Sequence, residues 1–330
     1  MNTIDGFRGG WAGLICLMLL LFASPLTAQD YVCGDADSSG VANITDAVYI
    51  IGYVFAQGAA PKPPAAGDAD GSGFVGIADA VYLVQYIFAG GPVPVCPGEP
   101  SDAIIADHTV VADFPAIPLA MIETIGENFN IYYVHTSHGS QIMTGIQMVY
   151  DEDNSYDSPY FYEVSDDLGG TGDVSWVAPT RTYLDNHPEC NMAMFSWCGG
   201  VSGNTEEGIG IYLAALEQLE ADYPGVTFIY MTGHLDGSGP EGNLYLRNNQ
   251  IRDYCNLHGK ILFDFADIES YDPDGVYYPD ESDYCNWCYD WCAIHTCPGC
   301  GDCAHSHCFN CYQKGKAWWW MMARIAGWES

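Results

Sequence analysis

Residues 131–142 read IYYVHTSHGSQI, and this stretch indicates which class of fold the chain adopts. It begins as a short run of β-branched and aromatic residues, which is typical of a buried strand. The run then stops at two histidines, a threonine and two serines. A buried strand followed directly by such side chains either enters an ordinary turn or presents a nucleophile at its end.

Strand-like and helix-like runs alternate over the rest of this region. The later strand-like runs cover residues 192–197, 226–233 and 260–265, and the helix-like runs cover residues 210–223, 243–259 and 314–327. This alternation predicts an α/β fold with a largely parallel sheet. In such a sheet, functional side chains collect at the carboxyl ends of the strands, and the HTSHGS segment lies at such an end.

A serine hydroxyl becomes a nucleophile when a base removes its proton, and a carboxylate usually orients that base. We predict Ser137 as the nucleophile, with Ser140 as the alternative. The segment GDCAHSH supplies the other two groups, because Asp302 precedes His305 by three residues. On a turn or the first coil of a helix, that spacing places both side chains on the same side.

These residues give the region a resemblance to the SGNH (GDSL-type) hydrolases, over residues 104–330. In that family the nucleophile follows the first strand, and an Asp-x-x-His pair precedes the final helix. VHTS stands where the family has Gly-Asp-Ser, so Ser137 takes the place of the nucleophile, and Asp302 and His305 match the pair. The resemblance implies a three-layer, flavodoxin-like parallel sheet and hydrolysis of esters without a catalytic cofactor.

The same resemblance implies the groups that hold the oxyanion. GGTGD points to the amide of Gly172, and SWCGGVSGN points to the side chain of Asn204, with Ser202 in reserve. The amide of Ser137 completes the set. His234, in the segment GHLDG, is a competing candidate for the base.

The N-terminal residues predict export. One arginine precedes the apolar run WAGLICLMLLLFA, and the small residues of SPLTAQD follow it, which is typical of a signal peptide over residues 1–28. An uncleaved membrane anchor is the alternative. We therefore expect a secreted, extracellular or cell-surface protein with no membrane span after cleavage, since no other stretch of the sequence reaches the length of a span.

Eight of the 14 cysteines lie between residues 285 and 311. In an exported chain this density predicts disulfides, and the bridges would staple the loop that holds His305. Their C-x-x-C spacings also suit a zinc site. A catalytic zinc bound through His295, His305 or His307 is therefore the rival interpretation.

A repeat with an offset of 33 residues follows the signal peptide: GDADSSGVANITDAVYIIGYVF begins at Gly34, and GDADGSGFVGIADAVYLVQYIF begins at Gly67. In each copy, carboxylates fall at loop positions 1, 3 and 12 with glycine at position 6, which is how a loop surrounds Ca²⁺ with oxygen ligands. The predicted ligands, through main-chain carbonyls at Val41 and Phe74, are Asp35, Asp37, Ser39, Val41, Asn43, Asp46, Asp68, Asp70, Ser72, Phe74 and Asp79. The alternative is a pair of acidic turns that cap helices.

The repeat resembles a type I dockerin, a small all-α module of EF-hand type, over residues 29–97. The resemblance implies two bound Ca²⁺ ions and, as a possible partner, a cohesin-like domain. Cys33 and Cys96 bracket the module and would join its ends as a disulfide. Residues 98–103 form the predicted linker to the larger region.

The charge balance excludes one class of partner. Nine lysines and arginines stand against 43 aspartates and glutamates, which gives a formal net charge of −34. Phosphate backbones would repel such a chain, so nucleic acid is not an expected partner. The balance suits Ca²⁺ binding or high solubility.

Together these features predict a secreted serine esterase with a Ca²⁺-dependent docking module. The dockerin resemblance favours an acylated polysaccharide or glycoconjugate as the ester substrate. Two alternatives remain: a non-catalytic extracellular binding or scaffold protein that keeps the hydrolase-like fold, and a zinc enzyme built on the Cys/His cluster.

Overall fold

The computed structural model describes residues 31–56, 58–71, 75–94 and 103–329. In the described part after residue 103, the chain forms a six-stranded sheet in which every neighbouring pair of strands is parallel. The strands are β1 (Ile104–Ala106), β2 (Asn130–His135), β3 (Tyr160–Ser165), β4 (Met192–Phe195), β5 (Thr227–Met231) and β6 (Ile261–Phe263). Their order across the sheet is β1-β6-β5-β4-β2-β3.

The helices alternate with these strands. They are α1 (Ile44–Ala56), α2 (Pro64–Gly67), α3 (Ile77–Ala89), α4 (Leu119–Asn128), α5 (Ser137–Glu152), α6 (Val177–Asn186), α7 (Glu206–Asp222), α8 (Asn243–His258), α9 (Phe265–Ser270), α10 (Asn286–Ile294) and α11 (Cys308–Ile325). A 3₁₀ helix, Thr109–Ala116, precedes α4. The structure thus confirms the predicted α/β class and the parallel sheet.

Both faces of the sheet are covered, which makes three layers. Tyr133 of β2 packs in a core with α5 and α11 on one face, whereas Tyr132 and Val134 pack in a second core with α6, α7 and α8 on the other. A strand buried on both faces needs apolar side chains at every position rather than at alternate positions. This requirement explains the continuous IYYV run.

The strand order reverses between β2 and β4. From β2 the chain adds β3 on one side, then crosses to β4 on the other side and continues outward to β5 and β6. This is the flavodoxin-like order, extended by β1 beyond β6. Ligands of such sheets bind at the carboxyl ends of the strands where the order reverses, and the residues that follow β2 and β4 lie there.

Two glycines bring α5 and α11 into close contact. A methyl group added at Gly145 would overlap the main chain of α11 at Cys311, and one added at Gly315 would overlap the main chain at Gly145. Only glycine allows two helix backbones to approach this closely. The contact sets the distance between the two helices whose N-terminal ends carry the candidate site.

The segment before residue 95 has a core of its own. Helices α1 and α3 pack against each other around Ala47, Ile50, Ala80 and Leu83. The predicted signal peptide, linker residues 98–102 and the cysteine of the predicted Cys33–Cys96 bridge at position 96 lie outside the described residues.

Within the described ranges, no single helix is both long and apolar enough to cross a membrane. One pair of helices with a bend between them, Thr109–Ala116 and Leu119–Asn128, is long and apolar enough when the two are taken together.

Candidate active site

Ser137 is the first residue of α5 and follows β2 after a single residue, Thr136. The turn is tight because Gly139 lies against the sheet. Tyr133 Oη donates a hydrogen bond of 3.0 Å to the carbonyl of Gly139. A methyl group at Gly139 would overlap Ser196 Oγ, so any side chain there would push α5 away from the strand ends. The geometry therefore holds Ser137 at the carboxyl edge of the sheet.

His305 lies directly opposite this serine, with its Nε2 2.9 Å from Ser137 Oγ. It belongs to the loop before α11, and its backbone is in the left-handed region with a φ of 63°. Non-glycine residues rarely adopt that conformation, and they do so where the surroundings hold them in place. Two disulfides, Cys300–Cys308 and Cys303–Cys311, each span His305 and supply that restraint.

Asp302 is not brought to His305. It is exposed, and within residues 103–329 no hydrogen bond joins it to the imidazole. The spacing of three residues brings side chains together on a helical turn, but α11 begins only at Cys308. Because His305 itself has a positive φ, the intervening backbone is not helical. A spacing of three residues therefore does not place the two side chains on the same side.

The two predicted oxyanion loops touch each other rather than Ser137. Thr171 Oγ1 donates to the carbonyl of Gly203 over 3.2 Å, which joins the loop of Gly172 to the loop of Asn204. Asn204 is buried, and its amide nitrogen donates to the carbonyl of Gly200. Among the described residues, no hydrogen bond links Gly172 or Asn204 to the serine.

Cys198 is the residue of the β4 loop that does reach the serine. Its Sγ lies 3.8 Å from Ser137 Oγ, and its thiol is free and exposed.

The two reserve residues of the predicted site form other hydrogen bonds. The carbonyl of Ser202 accepts from Asn243 Nδ2. The alternative nucleophile Ser140 donates its hydroxyl to the carbonyl of Ser137 over 2.7 Å, so it is engaged inside the helix.

A stack of three histidines lies beside this pair. The ring of His138 is 3.6 Å from that of His234 with an angle of 1°, and 4.6 Å from that of His305. Asp283 Oδ2 lies 2.9 Å from His138 Nε2. Burial lowers the pKa of His138, and the neighbouring histidines add to this, while the Asp283 carboxylate opposes it.

Sequence reasoning missed His138 and Asp283 as parts of the site. His138 follows the predicted nucleophile directly, and His234 follows the end of β5, so the rule that function collects at carboxyl strand ends could have joined them. Asp283 lies between β6 and α10 with no motif around it. Nothing in the sequence signals that it comes close to the two histidines.

A fully buried ion pair supports the loops of the site. Lys314 Nζ lies 2.6 Å from Glu269 Oε1 and also contacts Gln141 Oε1. Gln141 Nε2 donates to the carbonyl of Ala304, beside His305, and Glu269 Oε2 accepts from the amide of Leu235, beside His234. Burial lowers the pKa of Lys314 to about 8, and the Glu269 carboxylate opposes that shift.

Ser137 lines an open pocket of about 350 Å³, together with Ser140, Glu163, Val164 and further residues. Val164 also lines a neighbouring pocket of about 610 Å³. That pocket contains Tyr162 and Tyr183, whose rings stack 4.4 Å apart. An acyl group at Ser137 therefore has room beside it for a larger molecule that offers a flat face to tyrosine.

The four disulfides of the cysteine cluster are Cys285–Cys288, Cys292–Cys297, Cys300–Cys308 and Cys303–Cys311. They use all eight cysteines of residues 285–311, so none of these thiolates is left to bind zinc. His295 stacks on Trp291, and His307 caps α11 by accepting from the amide of Phe309. Within the part of the chain that the structure describes, His295, His305 and His307 form no cluster of metal-ligand spacing.

The acidic repeat does form clusters of that spacing. One oxygen from each carboxylate lies within 4.8 Å of the other two in two groups, namely Asp35, Asp37 and Asp46, and Asp68, Asp70 and Asp79. Asp46 and Asp79 are fully buried, and no ion pair of the described residues involves either of them. Burial raises the pKa of Asp79 to about 6. Buried carboxylates without a cation are a donor set that suits Ca²⁺.

The remaining predicted ligands of the first loop are partly engaged within it. Ser39 Oγ donates to Asp35 Oδ1, and Asn43 Oδ1 accepts from the amide of Thr45 at the start of α1. The carbonyl of Val41 accepts from Asn43 Nδ2. Ser72 and Phe74 of the second loop lie outside the described residues.

Comparison of the chain with known proteins gave no matching family model and no matching curated protein. The geometry of the site itself is therefore the guide to function: a serine at the N-terminus of α5, a histidine within hydrogen-bond distance of it, and three further titratable side chains beside them.

Proposed function

We propose that the chain is a serine hydrolase that cleaves esters. The observation that carries the proposal is the 2.9 Å separation between Ser137 Oγ and His305 Nε2 at the end of β2. The SGNH-like character suggested by VHTS and GDCAHSH agrees with it, because the pair lies at the strand-order reversal of a flavodoxin-like sheet.

In this mechanism His305 Nε2 accepts the hydroxyl proton of Ser137 while Oγ attacks the carbonyl carbon of the ester. The tetrahedral intermediate collapses when the C–O bond to the alcohol breaks, and His305 returns the proton to the departing alcohol oxygen. A water molecule then gives its proton to the same nitrogen and attacks the acyl-serine. When the bond between the acyl carbon and Ser137 Oγ breaks, His305 returns this proton to Oγ, and release of the acid restores both residues.

The developing oxyanion needs donors close to Ser137. The first turn of any helix has amide N–H groups without intrahelical acceptors, and those of α5 begin at the serine itself. The positive end of the helix dipole adds to their effect. Gly172 and Asn204 are the further donors that the SGNH resemblance suggests, and neither forms a hydrogen bond to the serine in the described part of the chain.

Among the described residues, no carboxylate is hydrogen-bonded to His305, so other features must orient its ring. The left-handed backbone, the two disulfides that span it and the contact with His138 fix its position. Orientation by the backbone leaves the imidazolium without a directly bonded counter-charge. We expect a slower acylation step than a complete triad gives.

The proposed substrate is an acylated carbohydrate or similar glycoconjugate. The pocket at Ser137 has room for a short acyl group, and the tyrosine-lined pocket that shares Val164 would accept a sugar ring. The N-terminal repeat is proposed as a dockerin-like docking module that binds two Ca²⁺ ions, with a cohesin-like domain as its partner. The two carboxylate clusters support this part of the proposal.

The test is an active-site label and a model ester. The purified chain should react with a fluorophosphonate at Ser137, located by peptide mapping, and should hydrolyse p-nitrophenyl acetate. Ser137→Ala and His305→Ala should each lower kcat/KM by at least about a thousandfold, because the two groups act as a unit.

Ser140→Ala is the matched control, since it removes a hydroxyl from the same helical turn and should change kcat/KM only slightly. If Ser140→Ala abolishes activity and Ser137→Ala does not, the nucleophile is Ser140. If the chain neither labels nor hydrolyses esters, the hydrolase proposal fails, and a non-catalytic binding or scaffold protein with this fold becomes the better interpretation.

A further inference from the structure

A second group of chemically active side chains lies next to the Ser137–His305 pair, and none of its members takes part in bond making or proton transfer in the mechanism above. His138 is on the first turn of α5, His234 follows β5, and Asp283 precedes α10. One donor atom of each lies within 4.8 Å of the other two. His138 is only 6% exposed, so the group is enclosed by protein on one side.

We propose that His138, His234 and Asp283 bind one divalent transition-metal ion of the zinc class. Two imidazole nitrogens and one carboxylate oxygen are a typical donor set of catalytic zinc sites, which keep a fourth position open. Ca²⁺ and Mg²⁺ prefer oxygen ligands throughout, so the two histidines discriminate against them.

The separations agree with shared coordination. His138 Nε2 and Asp283 Oδ2 are 2.9 Å apart. Two donors on a tetrahedral zinc, each at about 2.0–2.1 Å, lie roughly 3.3 Å from each other. Binding of the ion requires this pair to open by a few tenths of an ångström. It also requires the rings of His138 and His234, now parallel and 3.6 Å apart, to rotate so that both lone pairs point at the ion.

The hydrogen bonds around His234 and Asp283 resemble those that surround metal-ligating residues in proteins. His234 Nδ1 donates to the carbonyl of Leu235 over 2.8 Å, which leaves the lone pair on Nε2. The amide of Asp283 donates to the same carbonyl over 3.1 Å, and Glu269 holds the amide of Leu235. Such outer hydrogen bonds fix the tautomer and orientation of metal-ligating histidines.

The charge of the group also favours a metal ion. Among the described residues, Asp283 has His138 as its ion-pair partner and no lysine or arginine within ion-pair distance. A bound divalent cation would balance the charge of the Asp283 carboxylate.

On the proposed function, the ion would lie next to the catalytic pair, because the ring of His138 is 4.6 Å from that of His305, whose Nε2 is 2.9 Å from Ser137 Oγ. Its positive charge would there attract the carbonyl oxygen of the ester. The binding of the metal does not depend on that role and can be measured separately.

The experiment is a metal titration of the full chain after treatment with a chelator and dialysis, with excess Ca²⁺ present to saturate the acidic loops. Calorimetry with Zn²⁺ should give one site per chain, and Co²⁺ should give the visible absorption of a four-coordinate site. His234→Ala and Asp283→Asn should weaken Zn²⁺ binding by about a hundredfold or more, since loss of an outer hydrogen bond alone costs about 10–100-fold. Circular dichroism would establish that each variant is folded.

Two controls identify the site. His108→Gln alters the other His-containing cluster, formed with Asp107 and Asp267, and Cys198→Ser removes the exposed thiol near Ser137; both should leave Zn²⁺ affinity unchanged. Absence of stoichiometric binding, or loss of binding only in a control, would overturn the assignment. Ser137→Ala should keep the metal and lose the fluorophosphonate label, so failure of the hydrolase proposal and failure of the metal site give different results.

Discussion

At the scale of single residues, the backbone at His305 decides how the proposed base is held. A positive φ at a non-glycine residue costs free energy and persists where neighbouring structure enforces it. Here the side-chain amide of Gln141 donates to the carbonyl of Ala304, the residue before His305, and two disulfides span the histidine. The imidazole is thus positioned by the fold of its loop, and no carboxylate in the described ranges is hydrogen-bonded to it.

The first prediction concerns Asp302. Asp302→Asn should change kcat/KM on p-nitrophenyl acetate by less than about threefold, because an exposed side chain without a hydrogen bond to His305 contributes little. The measurement is steady-state kinetics beside His305→Ala. A loss as large as that of His305→Ala would mean that Asp302 reaches the imidazole during the reaction.

The sequence carried enough information to pair Ser137 with His305 but not to find what surrounds them. A serine after a buried strand and a histidine before the last helix are features of local order, which a sequence pattern can reveal. The predicted hydrogen bond between Asp302 and His305 is not present, because the expectation depends on helical spacing and the loop, held by disulfides that the sequence does not pair, is not helical. Asp283 was missed because its proximity depends on the packing of distant loops.

At the scale of elements, the contact between α5 and α11 positions the site. Ser137 lies at the start of α5, and the His305 loop leads into α11. Gly145 and Gly315 are about two turns along their helices. The helix contact and the Lys314–Glu269 pair together join the two halves of the site. A substitution where α5 and α11 cross should therefore displace the N-terminal ends of both helices.

The second prediction tests this crossing. Gly145→Ala should destabilise the fold by about 1–3 kcal/mol through overpacking, because the added methyl group overlaps the main chain at Cys311. It should also reduce fluorophosphonate labelling of Ser137 by about tenfold or more, since small displacements of reacting groups are costly. Chemical denaturation and labelling rates measure the two effects.

The matched control is Gly210→Ala in α7, where an added methyl group meets no atom within 4 Å. That change should be neutral or stabilise the fold by about 0.4–1 kcal/mol, because alanine favours a helix over glycine. Equal behaviour of the two variants would show that the α5–α11 contact is looser than described.

The elements themselves were largely predictable where burial is complete. β2, β4, β5 and β6 have continuous apolar runs and were anticipated. β1 has only three residues, and β3 lies at the sheet edge with alternating exposed tyrosines, so neither gave the signal of a buried strand. The order of the strands follows from packing between distant segments and not from any local pattern.

At the scale of the whole molecule, we expect the carboxylates of the N-terminal repeat to respond to the cations in the solution and to its pH. The formal net charge of −34 makes any cluster of buried carboxylates costly without cations. Two bound Ca²⁺ ions would neutralise four of these charges within the repeat. The fold of α1 and α3 should therefore depend on calcium.

The third prediction follows from this dependence. Calorimetry should find two Ca²⁺ ions per chain, one ion after Asp46→Asn or Asp79→Asn, and none after both changes. Asp302→Asn removes an exposed carboxylate elsewhere and should retain two. Because the raised pKa of Asp79, about 6, lets a proton compete with the ion below that pH, apparent affinity should fall between pH 7 and pH 5. Unchanged stoichiometry in the double variant would contradict the assignment.

Ser137 and His305 are 168 residues apart along the chain, so the serine is synthesised well before the histidine. At the usual rate of protein synthesis, roughly 10 to 30 s pass between the appearance of the serine and that of the histidine. Two disulfides span the histidine, and we expect it to hold its position only after both have formed. On the proposed function, the serine therefore stays dormant in a nascent or reduced chain, and the oxidising step that completes the loop is also the step that starts the enzyme.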